Sequence, residues 1–203
     1  MFKECKCFWC EKLKWPLLRD LNNNQNQYWF EIPRSGSVTI KESFKQSVII
    51  NRGTKEFEIA KTKSPIVIVS DPVNRFISCI NAYLAENQRY YAYGKNIFSS
   101  FGVDLDLCER KEKIDMFFDN IDKINSHHQV HHFHPQIRFI DTENFSNFTV
   151  LRRYQINQYF GIGAHLNHTR KEITPEDLSY SQIEIIKNIY EDDYKFLRDN
   201  GKT

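Results

Sequence analysis

The feature that most constrains the fold is a short apolar run that leads directly into a helix start. Residues 65–69 read Pro-Ile-Val-Ile-Val, and such a β-branched run is typical of a strand buried within a parallel sheet. Asp71 and Pro72 then favour a helix N-terminus, because aspartate caps well and proline suits the first helical position. An earlier strand at residues 28–32 leads in the same way into a turn and an amphipathic helix at residues 38–46. The order strand, turn, helix therefore occurs twice.

Other segments extend this alternation of strands and helices. Further strands are predicted at residues 48–50, 56–59, 137–140 and 148–151. Helices are predicted after Pro72, at residues 111–124 and from Thr174 to a stop at Gly201, whereas residues 89–107 indicate a loop. This order predicts an α/β fold in which helices flank a central, mostly parallel sheet. The polar run at residues 21–27 separates an N-terminal extension, residues 1–27, from one main domain, residues 28–203.

Charge and hydropathy exclude several classes of partner. The chain of 203 residues carries a formal net charge of only +2, so its surface as a whole is not expected to attract nucleic acid or an anionic membrane. No run approaches the roughly 18 to 20 apolar residues of a membrane span, and charges interrupt the first residues too often for a signal peptide. We therefore expect a soluble, cytoplasmic protein whose anion specificity, where present, is local.

Two clusters carry residue types that bind metals. Cys5, Cys7 and Cys10 form a C-x-C-x-x-C pattern, but a fourth zinc ligand would have to come from far along the chain. Five of the seven histidines lie within residues 127–134, a density that a surface loop also shows. The odd number of five cysteines, without an export signal, favours reduced thiols. We predict no metal site.

The turn after the first strand has the composition of an anion site. A turn that follows a strand and opens a helix directs unpaired backbone N–H groups and the positive helix end at one point. Here Gly36 allows the backbone to approach a ligand closely, and Arg34 adds a planar, permanent charge. Hydroxyl groups come from Ser35, Ser37 and Thr39. An ordinary helix cap beside a surface arginine is the alternative, and the Walker A pattern of nucleoside triphosphatases is absent.

Five segments, taken in order, resemble the carbohydrate sulfotransferase families, which use 3′-phosphoadenosine 5′-phosphosulfate (PAPS) as sulfuryl donor. These segments, called landmarks below, are R-S-G-S at 34–37, S-D-P-V-N-R-F-I-S at 70–78, H-F-H-P-Q at 132–136, H-L-N-H-T at 165–169 and I-Y-E-D-D-Y-K-F at 189–196. The families carry similar patterns, namely R-S-G-S, V-R-D-P-x-x-R-x-x-S, H-W-x-P-Q, H-x-N-x-[ST] and I-Y-x-x-D-Y-x-x-F. The resemblance covers roughly residues 28 to 200.

The resemblance implies a P-loop-like three-layer fold with a donor site made by two strand-to-helix corners. The first corner would bind the donor's phosphosulfate through Arg34, Ser35, Gly36, Ser37, Val38 and Thr39. The second would bind the 3′-phosphate through Arg75 and Ser78. The resemblance also assigns Asn167 to the donor and His132 to catalysis at the donor or acceptor site. One nucleotide can reach both corners only if they converge.

The implied reaction moves a sulfuryl group from PAPS to a hydroxyl of a carbohydrate or other small acceptor and releases adenosine 3′,5′-bisphosphate (PAP). Such an in-line displacement depends on positioning and charge stabilisation, so Arg34 would stabilise the leaving group and no metal is required. A general base must take the acceptor's proton. Glu56 and Glu58, which a strand would place on one face, are the leading candidates, with Glu42 behind them. Two solvated glutamates on an edge strand are the alternative.

One departure from the family pattern bears on activity. Ser70 occupies the position where the families carry the arginine of V-R-D-P, so one cation for the 3′-phosphate is missing unless Arg152, Arg153 or Arg170 replaces it. Two other functions therefore stay open: a non-catalytic nucleotide-binding protein of the same fold, and a phosphotransferase similar to a nucleoside kinase. A membrane anchor of the kind usual in the animal Golgi enzymes is not expected, which favours a microbial or viral source.

Overall fold

The structure is a computed structural model that describes residues 17–20, 27–35, 47–86, 88, 90–125, 131–161 and 172–201. The strands are β1 (Leu17–Asp20), β2 (Tyr28–Phe30), β3 (Ser47–Ile50), β4 (Ile66–Val69) and β5 (Thr149–Arg152). The helices are α1 (Lys55–Lys61), α2 (Pro72–Leu84), α3 (Tyr91–Ser99), α4 (Arg110–Asp119), α5 (Ile121–Asn125), α6 (Ile156–Phe160), α7 (Tyr180–Ile189) and α8 (Glu191–Asp199). The helix predicted at residues 38–46 lies outside the described residues, as do Cys5, Cys7 and Cys10.

The chain divides into two compact units. The sheet unit consists of Leu13–Ser70, Pro135–His168 and Asp192–Thr203. The helical unit consists of Met1–Lys12, Asp71–His134 and Thr169–Glu191. In the part of the chain that the structure describes, every strand belongs to the sheet unit.

The strands form one sheet in the order β3-β1-β2-β4-β5. β2 pairs with β4 and β4 pairs with β5 in parallel, whereas β1 is antiparallel to both β2 and β3. Phe30 lies opposite Val67, and Val69 lies opposite Arg152, so the carboxyl ends of the three parallel strands share one edge. The predicted α/β class is confirmed, and the sheet is mixed, with β1 as the strand of opposite direction.

Both faces of the sheet are covered by helices of the same unit. Successive strand residues point to opposite faces, so neighbouring side chains enter different cores. Phe30 belongs to one core, in which Phe57 of α1 and Leu197 of α8 also lie. Trp29 belongs to the other core, together with Ile156 of α6. The predicted arrangement of a sheet flanked by helices is therefore confirmed.

The N-terminal segment contributes a strand to the sheet. Residues 17–20 lie within the extension predicted at residues 1–27, yet β1 lies between β2 and β3. Leu17 is 1% exposed and Leu18 is 4% exposed, and the two side chains enter opposite cores. The predicted boundary at residue 27 therefore does not separate β1 from the main fold.

The helical unit is built around aromatic side chains next to α2. Phe76 of α2 packs edge to face on Phe117 and Phe133, with ring centroids 5.7 and 5.3 Å apart. Tyr190 also contacts Phe76 and donates its hydroxyl hydrogen bond to the Phe133 carbonyl at 2.6 Å. The start of α2 is as predicted, because the Asp71 side chain caps its first turn. Among the described residues, no helix combines the length and the apolar character needed to cross a membrane.

Residues 56–59 lie within α1, so the strand predicted there is wrong. The alternation of charged and apolar residues imitates a strand, but the Thr54 hydroxyl accepts the N–H of Phe57 at 3.2 Å and caps a helix. Phe57 and Ala60, three residues apart, then share the buried side of that helix. Glu56 and Glu58 consequently lie about 200° apart around the helix axis and not on one face.

Three other predicted elements also differ from the structure. Part of the predicted loop at residues 89–107 forms α3, which buries Ile97 and Phe98. The strand predicted at residues 137–140 is a 3₁₀ turn, Gln136–Phe139. The helix predicted at residues 111–124 is interrupted at Asn120, whose side-chain amide donates to the Met116 carbonyl at 3.0 Å. Burial of apolar side chains accounts for α3, and local hydrogen bonds account for the 3₁₀ turn and for the interruption at Asn120.

Candidate functional site

The candidate site lies at the carboxyl edge of the parallel strands in the sheet unit. Arg34 lies four residues after the end of β2, Ser70 directly follows β4, and Arg153 directly follows β5. Because β4 lies between β2 and β5, Ser70 is flanked by the two arginine-bearing strand ends. Open α/β sheets in general bind ligands at this edge.

The turn after β2 holds Arg34 in an unusual backbone conformation. The Ser35 N–H donates to the Ile32 carbonyl at 3.3 Å across Pro33 and Arg34. Arg34 has a positive φ of 66°. Proline in the second position and a positive φ in the third match a type II turn, whose third residue is normally glycine or asparagine. An arginine held against this preference is typical of functional positions, where local strain is retained.

Gln136 connects this turn to the end of β4. Its Oε1 accepts hydrogen bonds from the Ser35 hydroxyl and from the Ser70 N–H, both at 2.9 Å. Its Nε2 donates to the Ser70 carbonyl at 3.0 Å and to Asp193 Oδ2 at 3.3 Å. The amide therefore uses both acceptor positions and both donors. Ser35, Gln136 and Asp193 are each no more than 2% exposed, so these bonds form away from water.

Asp193 in turn orients Gln136. Its Oδ2 accepts the Gln136 N–H and its Oδ1 accepts the Ile137 N–H, both at 2.9 Å. A carboxylate that accepts backbone N–H groups fixes the direction of the chain that it binds. The Gln136 side chain therefore starts from a fixed backbone position, and the hydrogen bonds to Ser35 and Ser70 follow from it.

Four of the five landmarks contribute to this network, called the Gln136 network below. Ser35 belongs to the first landmark, Ser70 to the second, Gln136 to the third and Asp193 to the fifth. The fourth landmark, at residues 165–169, lies outside the described residues. Segments up to about 160 positions apart in sequence therefore meet at one buried point in the sheet unit.

The positive charge of Arg34 acts on the side chain of Arg153 at this edge of the sheet. Arg153 is exposed to solvent. Neighbouring protein atoms nevertheless reduce its hydration, and this loss of hydration, followed by the positive charge of Arg34, lowers the pKa of Arg153. Within the described part of the chain, Arg153 forms no ion pair with a carboxylate. Like charges repel each other, so an anion bound between Arg34 and Arg153 would stabilise this arrangement.

The Ser70 hydroxyl lies between these two strand ends. Ser70 is 7% exposed, and its Oγ has no hydrogen-bond partner among the residues that the structure describes. A buried hydroxyl without a partner is unfavourable by about 1 to 3 kcal/mol, so such a group needs an explanation in a native fold. A ligand oxygen at this edge would supply the missing acceptor or donor.

The residues predicted for the 3′-phosphate lie in the helical unit, on α2. Arg75 is 1% exposed and donates to the carbonyls of His132 and His134, both at 2.8 Å. Its described contacts thus hold the H-F-H-P-Q segment in place. Ser78 is half-buried one turn further along α2. A direct contact of Arg75 or Ser78 with a phosphate stays a prediction.

His132 lies in an aromatic cluster of the helical unit. Its Nδ1 is 2.9 Å from the Tyr83 hydroxyl, and its side chain is 9% exposed. The Tyr90 ring stacks on Tyr83 with centroids 5.5 Å apart and lies 4.7 Å from the His132 ring. These contacts fix the orientation of the imidazole. The catalytic role that the family resemblance implies for His132 stays a prediction.

The two candidate bases have different surroundings. Glu56 forms an ion pair with Arg19 and lies 3.5 Å from the hydroxyl of Tyr28, the first residue of β2. Burial, followed by the charge of Glu56, raises the pKa of Tyr28. Glu58 is exposed and pairs with Lys61 at 2.6 Å. The hydrogen bonds and ion pairs of these glutamates therefore do not lead to the Gln136 network.

The remaining predicted site residues lie outside the described residues. They are Gly36, Ser37, Val38, Thr39, Asn167, Glu42 and Arg170. Among the residues that are described, no group of three or more His, Cys, Asp and Glu side chains is arranged to hold a metal ion.

The sequence did not single out Gln136 and Asp193 as site-forming residues. They were visible only as letters of the third and fifth landmarks, because glutamine and aspartate in isolation have many roles. A weak signal was available for Gln136, which lies between Pro135 and Ile137, whereas Asp193 lies between Asp192 and Tyr194 and gave none. Comparisons of the chain with family models, with curated proteins and with solved structures each give no match.

Proposed function

We propose that this protein is a PAPS-dependent sulfotransferase that transfers a sulfuryl group to a hydroxyl of a carbohydrate or other small acceptor. The observation that carries the proposal is the Gln136 network, in which residues from four landmarks meet at the carboxyl edge of β2 and β4. Landmarks that matched by chance would have no reason to meet. The proposal includes a P-loop-like arrangement, in which the turn after β2 receives the donor's phosphosulfate.

The residues at this edge fit an anionic donor. Arg34 supplies a planar, permanent charge, and Ser70 supplies a buried hydroxyl that has no partner among the described residues. The first landmark continues into Gly36, Ser37, Val38 and Thr39, which lie outside the described residues. In the proposal this segment and Arg34 bind the phosphosulfate. Arg75 and Ser78 bind the 3′-phosphate, and Asn167 also contacts the donor.

The proposed reaction forms a bond between the acceptor oxygen and sulfur while the bond from sulfur to the bridging oxygen breaks. The electron pair stays on the phosphate, which leaves as part of PAP, and Arg34 stabilises this developing charge. The acceptor's proton passes to a general base. We assign no proton transfer to Glu56 or Glu58, because Glu56 is engaged with Arg19 at the start of β2 and Glu58 with Lys61.

A transfer assay tests the proposal. The purified protein is incubated with donor that carries a radiolabelled sulfuryl group and with a panel of glycans and small hydroxyl compounds. We expect label in at least one acceptor and a loss of about 100-fold or more for Arg34→Ala, because Arg34 stabilises the leaving group. Arg198→Ala, which removes an exposed arginine from α8, is the matched control and should transfer as the unmodified protein does.

A non-catalytic nucleotide-binding protein of the same fold is the second candidate. It is favoured by Ser70, which stands where the families carry an arginine, and by the engagement of Glu56 in an ion pair. This candidate predicts that PAP binds while no acceptor in the panel receives label. Transfer of label that depends on Arg34 would exclude it.

A further inference from the structure

We infer that Arg153 is a second anion-binding residue, which together with Arg34 flanks Ser70 and contacts the phosphosulfate end of the donor. This inference rests on the proposed function for the identity of the donor. The three residues from which an anion site is inferred, Arg34, Ser70 and Arg153, all belong to the sheet unit. In this inference Arg153 contacts the phosphosulfate end and does not replace the arginine that the families carry at the Ser70 position for the 3′-phosphate.

The strand order places Arg34 and Arg153 on the two sides of Ser70. β4 is hydrogen-bonded to β2 on one side and to β5 on the other, and Val69 lies opposite Arg152. Arg153 is therefore level with Ser70 across the parallel pair. Neighbouring strands lie about 4.8 Å apart, so β2 and β5 are separated by roughly 10 Å. Two long arginine side chains from these strands can reach one ligand over Ser70.

The positive charges of Arg34 and Arg153 favour a negatively charged ligand. The charge of Arg34 acts on Arg153, and in the described part of the chain Arg153 has no carboxylate partner that would offset this repulsion. A guanidinium group binds phosphate and sulfate oxygens with two parallel hydrogen bonds. A ligand with a negative charge at this point would be attracted by both side chains.

The Ser70 hydroxyl supports a ligand at this position for a reason that does not depend on charge. It is more than nine-tenths buried and has no hydrogen-bond partner among the described residues, although the backbone N–H and carbonyl of Ser70 are both bound to Gln136. The Gln136 network thus fixes Ser70 firmly but leaves its hydroxyl available. An anionic oxygen placed between Arg34 and Arg153 would accept a hydrogen bond from it.

The test uses calorimetric titration of the full chain at one fixed salt concentration with three probes: PAP, adenosine 3′-monophosphate and inorganic pyrophosphate. PAP carries a 5′-phosphate where the donor carries its phosphosulfate, and adenosine 3′-monophosphate lacks that end. For Arg153→Gln we expect about tenfold or weaker binding of PAP and pyrophosphate, because a charged hydrogen bond is lost. Binding of adenosine 3′-monophosphate should change by less than about twofold.

Arg198→Gln is the matched control, since it removes the same charge from an exposed position of α8 and should change none of the affinities. Arg153→Lys keeps the charge but not the planar fork, and it should weaken PAP binding by a few-fold. It also provides the comparison if Arg153→Gln unfolds at a lower temperature than the unmodified protein. Equal losses for PAP and adenosine 3′-monophosphate, or no loss for either, would overturn the inference.

The outcomes also separate this inference from the proposed function. If the unmodified protein binds pyrophosphate but neither nucleotide, the sulfotransferase proposal fails, while a loss of pyrophosphate binding in Arg153→Gln still supports the anion site. If PAP binds and Arg153→Gln binds it equally well, the inference fails and the proposed function stands. If the unmodified protein binds none of the probes, both are overturned.

Discussion

Gln136 is the residue that connects the separate segments of the candidate site. Its amide joins the turn after β2 to the end of β4, and its backbone is held by Asp193. Removal of the amide would leave the Ser35 hydroxyl and both backbone groups of Ser70 without their buried partner. The consequence should be visible in stability even before any ligand is considered.

We predict that Gln136→Met lowers the free energy of unfolding by about 2 to 4 kcal/mol, because several buried polar groups lose their partners at once. Urea unfolding followed by circular dichroism measures this change. Gln158→Met on the exposed side of α6 is the control and should change stability by less than about 0.5 kcal/mol. A Gln136→Met protein as stable as this control would contradict the role assigned to the Gln136 network.

Glu56 offers a test of the base that the sequence favoured. We predict that Glu56→Gln lowers stability by less than about 1 kcal/mol, because its ion pair with Arg19 is partly exposed. Wherever transfer is measured, the rate should stay within about threefold, whereas loss of a general base typically lowers it 10²- to 10⁴-fold. Glu58→Gln, which breaks the pair with Lys61, is the matched control. If Glu56→Gln lowered the transfer rate about 10²- to 10⁴-fold and Glu58→Gln did not, Glu56 would again be the leading candidate for the general base.

At the scale of elements, the strands were predictable because side chains of β-branched and aromatic type fill both cores. β2 and β4 lie within the predicted ranges, β3 and β5 each extend one residue beyond them, and α2 begins at the predicted Asp71 cap. α1 was not predictable from its alternating residues, because the deciding contact is the Thr54 cap. β1 was missed because its four residues carry too little pattern to stand out in a polar neighbourhood.

The candidate site was predictable in part, and for a physical reason. The turn at Arg34 and the corner at Ser70 are local, so their residues carry the signal for an anion site. The Gln136 network joins residues as far apart as Ser35 and Gln136, which are 101 positions apart, and no local pattern reports such a contact. The position of Arg153 beside Arg34 likewise depends on strand order, which emerges only in the folded sheet.

α3 packs on α2 through Gly94, and this contact is sensitive to a single methyl group. A Cβ at Gly94 would lie 1.9 Å from the backbone carbonyl oxygen of Tyr83. Alanine in place of glycine normally stabilises a helix interior by about 1 kcal/mol, but here the helices would have to separate. The preference for alanine and the packing contact therefore act in opposite directions.

We predict that Gly94→Ala is destabilised by about 1 to 3 kcal/mol, because overpacking outweighs helix propensity. Thermal unfolding followed by circular dichroism provides the measurement. Asn96→Ala, at an exposed position of the same helix, should be neutral or slightly stabilising by propensity. If Gly94→Ala unfolded at or above the temperature of the unmodified protein, α3 would not pack on α2 as described.

At the scale of the whole molecule, the boundaries between the two units that fall in the described part of the chain come after Ser70, after His134 and after Glu191. Each of these positions lies within a landmark. On the sheet side the adjoining residues are held by the Gln136 network, and on the helical side the carbonyls of His132 and His134 are held by Arg75. Three of the five landmarks thus contain residues that hydrogen bonds hold next to such a boundary, and a direct contact of any landmark with a donor stays a prediction.

The central claim is that the carboxyl edge of the sheet binds a sulfotransferase donor and not a nucleoside triphosphate. Calorimetric titration of the full chain with PAP and, in parallel, with ATP measures this preference most directly. The account predicts that PAP binds and that it binds more tightly than ATP, because the turn after β2 lacks the Walker A pattern. Tighter binding of ATP, or no heat from PAP at concentrations up to about 1 mM, would contradict it.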